Sequence, residues 1–181
     1  KAWYYSALFT FKTQFYEGYD YKPEEPVYIS NFMAPAYIAL GVGMEYKPSE
    51  HFSAYLSPIT SRILIINDKI LSDAGAFGMV PGDNFKQELG ANFRMLFNQD
   101  IMKNVNLQTE LELFSDYLDH PERIDVSWEL IMAMKVNSFI TTNISTNLLY
   151  DHDIQITDKD GKTGPRTQFK EVLSIGLTYS F

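Results

Sequence analysis

Cysteine is absent from the 181-residue chain. That excludes a disulfide-stapled secreted domain and any zinc or iron–sulfur centre built on thiolates. Basic residues are in deficit, 15 Lys and Arg against 23 Asp and Glu, and the net charge of −8 provides no electrostatic footprint for nucleic acid. Only three histidines are present, so histidine-based chemistry has few places to reside. Long hydrophobic runs are missing as well. Even the charge-free residues 29–44 are interrupted by Ser30, Asn31 and Pro35, whereas a transmembrane helix needs about 20 mostly apolar residues. No signal-peptide pattern opens the chain. Lys1-Ala2-Trp3 leads straight into a strand-like pattern, as expected of a processed chain or a fragment.

What the chain does have is aromatic excess and strict alternation. Phe and Tyr number 13 and 12. At the C-terminus Leu173, Ile175, Leu177, Tyr179 and Phe181 share one face, opposite Ser174, Gly176, Thr178 and Ser180. Successive strand residues point to opposite faces, so this is a strand with one large apolar face and one small, mostly polar face. The division recurs upstream. Ile140, Ile144, Leu148 and Tyr150 oppose Thr141, Asn143, Ser145 and Asn147; Val126, Trp128, Leu130 and Met132 oppose Ser127, Glu129 and Ala133. Leu107, Leu111 and Leu113 oppose Gln108, Glu110 and Glu112, and Leu89, Phe93, Met95 and Phe97 oppose Asn92 and Arg94. Ile38, Leu40, Val42 and Met44 oppose Ala39, Gly41, Gly43 and Glu45, while Tyr5, Ala7, Phe9 and Phe11 oppose Ser6, Thr10 and Lys12. An eighth, less regular strand begins at Phe52. Arg62 falls there on the wrong parity, and a bulge near Pro58 would restore the phase.

These features predict an all-β fold, a transmembrane antiparallel up-and-down β-barrel with eight strands visible in residues 1–181 as one domain. The connectors alternate in length. Those at 47–51, 98–104 and 137–138 are short; those at 16–30, 64–84, 118–123 and 151–166 are mostly long and polar. Outer-membrane barrels have short periplasmic turns and longer external loops, which places the C-terminus at the periplasmic side. Trp3, Tyr5, Tyr46, Phe52, Phe97 and Phe139 then collect at the periplasmic rim with Tyr179 and Phe181. Phe15, Phe32, Phe85, Tyr117, Tyr150 and Phe169 collect at the external rim. Such aromatic girdles suit the headgroup layers. A soluble sandwich or lipocalin-like barrel also alternates, but its strands are usually about 5–6 residues long. The long strands and the apolar pattern ending at Phe181 favour the membrane.

The segments FKTQFYEGYDY, ISNFMAPAY, YLSPIT, LSDAGAFG, LFSDYLDHPERIDVSWE and GPRTQFKEVLSIGLTYSF resemble an uncharacterised family of Bacteroidota outer-membrane β-barrel proteins. The resemblance covers nearly the whole chain and implies no activity or cofactor. It also implies that this chain is the C-terminal part of the barrel, lacking N-terminal strands, with about twelve strands in the intact protein.

Candidate chemistry is sparse. Lys12, Arg94 and Lys135 face the same side as Glu45, Glu110, Glu112 and Glu129, and this mixed set predicts a lumen network that plugs the barrel and pins its register. Asp151, Asp153, Asp158 and Asp160 are weak candidates for external calcium, which takes several carboxylate and carbonyl oxygens. His51 lies in a short turn. His120, with Asp116 nearby, and His152, between Asp151 and Asp153, are the only groups that could serve a rim hydrolase of protease or lipase type. No catalytic residues, cofactor or resident metal are assigned. The expected role is a non-enzymatic scaffold or accessory subunit of an outer-membrane complex, with a narrow solute or ion pore and the rim hydrolase as alternatives. The expected partners are outer-membrane lipid and lipopolysaccharide, the barrel-assembly machinery during insertion, and another outer-membrane protein or lipoprotein.

Overall fold

The computed structural model describes residues 2–21 and 25–177; Tyr179 and Phe181 of the C-terminal pattern lie outside the described residues. In chain order come β1 (Trp3–Thr13), a hairpin of β2 (Gly18–Asp20) and β3 (Val27–Ser30), then β4 (Ala36–Tyr46) and β5 (Phe52–Ile65). A short helix, α1 (Lys69–Asp73), precedes β6 (Phe85–Met102), β7 (Val105–Asp116), β8 (Ile124–Lys135) and β9 (Ile140–Tyr150). A second hairpin, β10 (Gln155–Thr157) and β11 (Thr163–Pro165), leads into β12 (Gln168–Leu177). The eight long strands form one antiparallel sheet in the order β1-β4-β5-β6-β7-β8-β9-β12. Apart from the two small hairpins, each long strand pairs with the next one in the chain, so the sheet is an up-and-down meander.

The expected closure into a barrel is corrected. Among the described residues no ladder joins β1 to β12, and the sheet remains an open arc with two edges. Eight strands closed on themselves leave an interior just filled by side chains. The concave face here carries long side chains and still leaves a cavity of about 430 Å³, more room than eight closed strands would leave. The connector expected at 98–104 is also corrected. β6 runs through most of it, and the chain reverses at Lys103-Asn104. Asn104 adopts φ 66°, a left-handed conformation that Asn tolerates because its short side chain bonds locally.

The irregularity at Pro58 is a one-residue bulge. Against β6, Ser57 pairs Asn92 while Thr60 pairs Gly90, so three steps on β5 match two on its neighbour. Against β4, Leu56 pairs Met44 and Ile59 pairs Val42. The extra residue swaps the facing of everything after it. Leu56 and Ile59 therefore both point outward, and Arg62 turns inward. Gly43 sits opposite the bulge, where an added Cβ would lie 2.1 Å from the Leu56 carbonyl oxygen. Only hydrogen fits.

One end of the arc carries a small apolar core. The segment 64–84, expected to be a polar loop, instead packs Ile66, Leu71 and Met79 with Ala34, flanked by Tyr28 and Leu64. Asp68 organises it. One carboxylate oxygen caps α1 by accepting from the Ile70 and Leu71 amides, and the other accepts from Tyr28 Oη at 2.7 Å and Asn31 Nδ2 at 3.2 Å. The Tyr28 hydroxyl first, with those amides, holds the Asp68 carboxyl below the usual range. Desolvation and the neighbouring carboxylate push the Tyr28 hydroxyl up to about 12.

Two outcomes are expected. Gly43→Ala should lower resistance to chemical unfolding by about 1–3 kcal/mol, the usual cost of forcing atoms into a packed site; an unchanged midpoint would mean that β5 has moved. Because the folded Asp68 pKa is depressed, its contribution is present above the ordinary carboxylate value of about 4 and is lost as pH falls through the folded value. Protection factors of the α1 amides, exchange rates taken relative to the intrinsic rate at each pH, should therefore fall on acidification below that point, and Asp68→Asn should remove that fall.

Candidate functional site

The two faces of the arc differ in kind. Outward are Tyr5 at 94% exposure, Phe9 at 69%, Val42 at 60% and Ile59 at 58%. Inward are Ser57, Thr60 and Asn92, all fully buried, together with the charges. The register explains the division: the inward row runs Gly41, Thr60, Gly90 and Asp116 across four successive strands, and each neighbouring row points the other way.

Three charged clusters line the inner face. Arg94 on β6 meets Glu110 on β7, with Nε 2.7 Å and Nη2 2.5 Å from Oε1. Arg62 on β5 reaches Glu112 on β7 at 2.9 Å and Asp125 on β8 at 3.4 Å, and its guanidinium stacks 3.7 Å from the centroid of the buried Phe114 ring. Asn92 donates to the same Glu112 oxygen at 2.8 Å. Lys86 on β6 joins Glu88 at 2.7 Å and also contacts Asp153 in the segment after β9. Adjacent flat strands lie about 4.8 Å apart, so contacts that skip one or two strands mean that the sheet curls around these groups.

Of the residues expected in a lumen network, Arg94, Glu110 and Glu112 are thus joined by ion pairs. Glu129 accepts from Asn147 at 3.3 Å, Glu45 borders a recess shared with Arg94 and Tyr55, and Lys12 lines the larger cavity. Lys135 ends β8 opposite Thr141, exposed and apart from these clusters. Sequence reasoning missed Arg62, Lys86, Glu88, Asp125 and the cavity role of Asp151 and Asp153. The misplaced parity of Arg62 was the available signal. The others sit at strand ends and in a loop, where alternation fades.

That cavity, of about 430 Å³, lies on the inner face of the sheet. Its wall draws on β1 (Lys12), β4 (Tyr37), β5 (Arg62 and Leu64), β7 (Glu112), β8 (Asp125) and the segment after β9 (Asp151 and Asp153). Phe77 also lines it, with a backbone at φ 61° and ψ 27°. A bulky side chain in the left-handed region costs about 1–3 kcal/mol and persists only where the surroundings impose it.

The other candidates are dispersed. Among the described residues no group of three or more His, Cys, Asp and Glu is placed to hold a metal ion. Asp151 accepts from the Asp153 amide and Asp153 from Lys86. Asp158 binds the amides of Asp160 and Lys162 and the Arg166 guanidinium, bracing the β10–β11 turn. Of the four carboxylates expected to share calcium, Asp151 and Asp158 thus accept from loop amides, and Asp153 pairs with Lys86 on β6. His120 Nδ1 lies 3.0 Å from exposed Glu122, whose carboxyl is held low by its own backbone amide and by His120. Asp116 caps backbone amides at Leu89 and Leu118. His152 borders, with Asp116 and Asp119, a void of about 20 Å³, room for one water and no substrate. His51 Nδ1 lies 3.0 Å from the Asn98 carbonyl oxygen and ties a turn to β6. No family model, curated protein or solved structure matches the chain.

Arg94→Met should cost about 2 kcal/mol in chemical unfolding, because it leaves a half-buried Glu110 without its partner. The double replacement Arg94→Met/Glu110→Met should recover most of that loss. Equal loss in both variants would mean that the pair contributes through packing alone.

Proposed function

We propose that the chain is an integral β-sheet of a Gram-negative outer membrane, acting as a non-enzymatic scaffold or accessory subunit whose lumen is blocked by ion pairs. One observation carries the reading: the broad surface of the sheet is apolar, and the surface that the sheet encloses is charged. A soluble domain buries the first and exposes the second. Hydrocarbon as the external solvent reverses both preferences, and barrels of this type are apolar outside and polar within. The aromatics support the same placement. Trp3 and Tyr46 pack at one end of the strands with centroids 4.7 Å apart, and Phe15 and Phe32 pack at the other at 6.2 Å. The end bearing the short turns would face the periplasm.

Lipid tails offer no hydrogen bonds, so the two edges need strand partners within the membrane. In this reading further strands cover β1 and β12 and complete a barrel of about twelve. The resemblance to the uncharacterised Bacteroidota outer-membrane family agrees with such a barrel. Lipid, lipopolysaccharide and the barrel-assembly machinery are the partners it requires, and another outer-membrane protein or lipoprotein is what a scaffold would hold. A narrow solute path is the second reading. It is favoured by the cavity and by Tyr55 Oη and Asn92 Oδ1, which are buried without a partner among the described residues and which lumen water would satisfy.

Reconstitution separates these readings. The protein should float with liposomes, resist extraction by alkaline carbonate, and leave a planar bilayer silent. Steady single-channel steps would replace the scaffold by the pore. Recovery of a monodisperse protein without detergent would overturn the membrane assignment itself.

A further inference from the structure

The cavity at the inner face has a chemistry that the ion-pair plug does not use up. Arg62 is shared between Glu112 and Asp125, and Lys86 between Glu88 and Asp153. Each cation thus faces two carboxylates. Asp151 adds a further carboxylate, engaged among the described residues by the Asp153 amide alone, and Lys12 adds one ammonium. Three cations face five carboxylates in the lining, and the carboxylates stay in excess even with Asp125 neutral.

The rest of the wall is apolar or aromatic and includes Tyr37, Leu64, Phe77, Leu149 and Ile154. Phe77 is the informative member. Its left-handed backbone is an outlier for a bulky residue, and strain of this kind gathers where a side chain must be presented. The cavity volume of about 430 Å³ is in the range of small-molecule sites, roughly 300–1,000 Å³. Apolar walls with a few convergent polar groups are what such sites share.

The geometry points to a binding site for a small organic cation that carries an apolar body, with its ammonium at Asp151 and its body against Phe77, Tyr37 and Leu149. The surplus negative charge selects the sign of the ligand. Arg62 and Lys86 are each held by two carboxylates, and among the described residues no cation pairs with Asp151, which leaves that carboxylate for the ammonium. Aromatic faces attract ammonium groups and pack against apolar chains alike. The cavity belongs to the fold, so this inference stands apart from the membrane assignment.

The test uses the whole purified chain and two probes of similar shape, 2-phenylethylammonium and 3-phenylpropanoate, titrated calorimetrically. The ammonium should bind saturably and the carboxylate should not. Asp151→Asn keeps an oxygen for the Asp153 amide but removes the charge, and should weaken the ammonium about tenfold. Phe77→Gly should weaken it several-fold while thermal stability holds or rises, because glycine adopts the left-handed region freely. A purely structural Phe77 would lose stability and leave affinity alone. Equal binding of both probes, no binding of the ammonium, or an Asp151→Asn affinity equal to the parent would each overturn the proposal.

Discussion

The ladder of backbone hydrogen bonds from β1 to β12 fixes everything else, because it determines which face each side chain occupies. Side chains alternate with a period of two, so a slip of one residue would carry Phe9, Leu40 and Val42 inward and Lys12, Arg94 and Glu110 outward. No local contact could compensate for that exchange. The bulge at Pro58 changes the phase in the middle of β5, and it does so to keep the division intact. Without it Arg62 would point away from Glu112 and Asp125, leaving two carboxylates on the concave face without their cation. A single glycine, Gly43, makes room for it.

The ion pairs are better understood as consequences of that register than as its source. Half-exposed salt bridges are worth little individually, whereas the loss of one partner is costly. Arg62 and Lys86 act across several strands and so hold the curl of the sheet rather than one strand pair. At the same end of the strands, the Asp68 cluster organises the connector between β5 and β6 through hydrogen bonds to Tyr28, Asn31 and the start of α1. The charged cavity lies beside that end, which is why Phe77, from the same connector, can reach it.

Much of this was legible in the sequence because alternation is local. The facing of Leu130 and Glu129, or of Met95 and Arg94, can be read from neighbours alone, and Arg62 announced the bulge by breaking the rule. Other features depend on contacts far along the chain. The core of Ala34, Ile66, Leu71 and Met79 joins two connectors whose apolar residues show no common period. Lys86 and Asp153 are 67 residues apart and meet only because the sheet curls. The four loop aspartates looked like ligands by spacing, yet Arg166 and backbone amides engage Asp158. Whether the sheet closes is set by its curvature, which no residue pattern displays.

The central claim is that hydrocarbon contacts one face of each strand and a polar interior contacts the other. Spin labels placed one at a time at residues 126–134 of β8, with the protein in lipid, measure it directly. Accessibility to oxygen should peak at Val126, Trp128, Leu130, Met132 and Met134, and accessibility to a water-soluble relaxant should be higher at Ser127, Glu129 and Ala133 than at those five. A profile without the two-residue period, or one with water on the Trp128 face, would contradict the account.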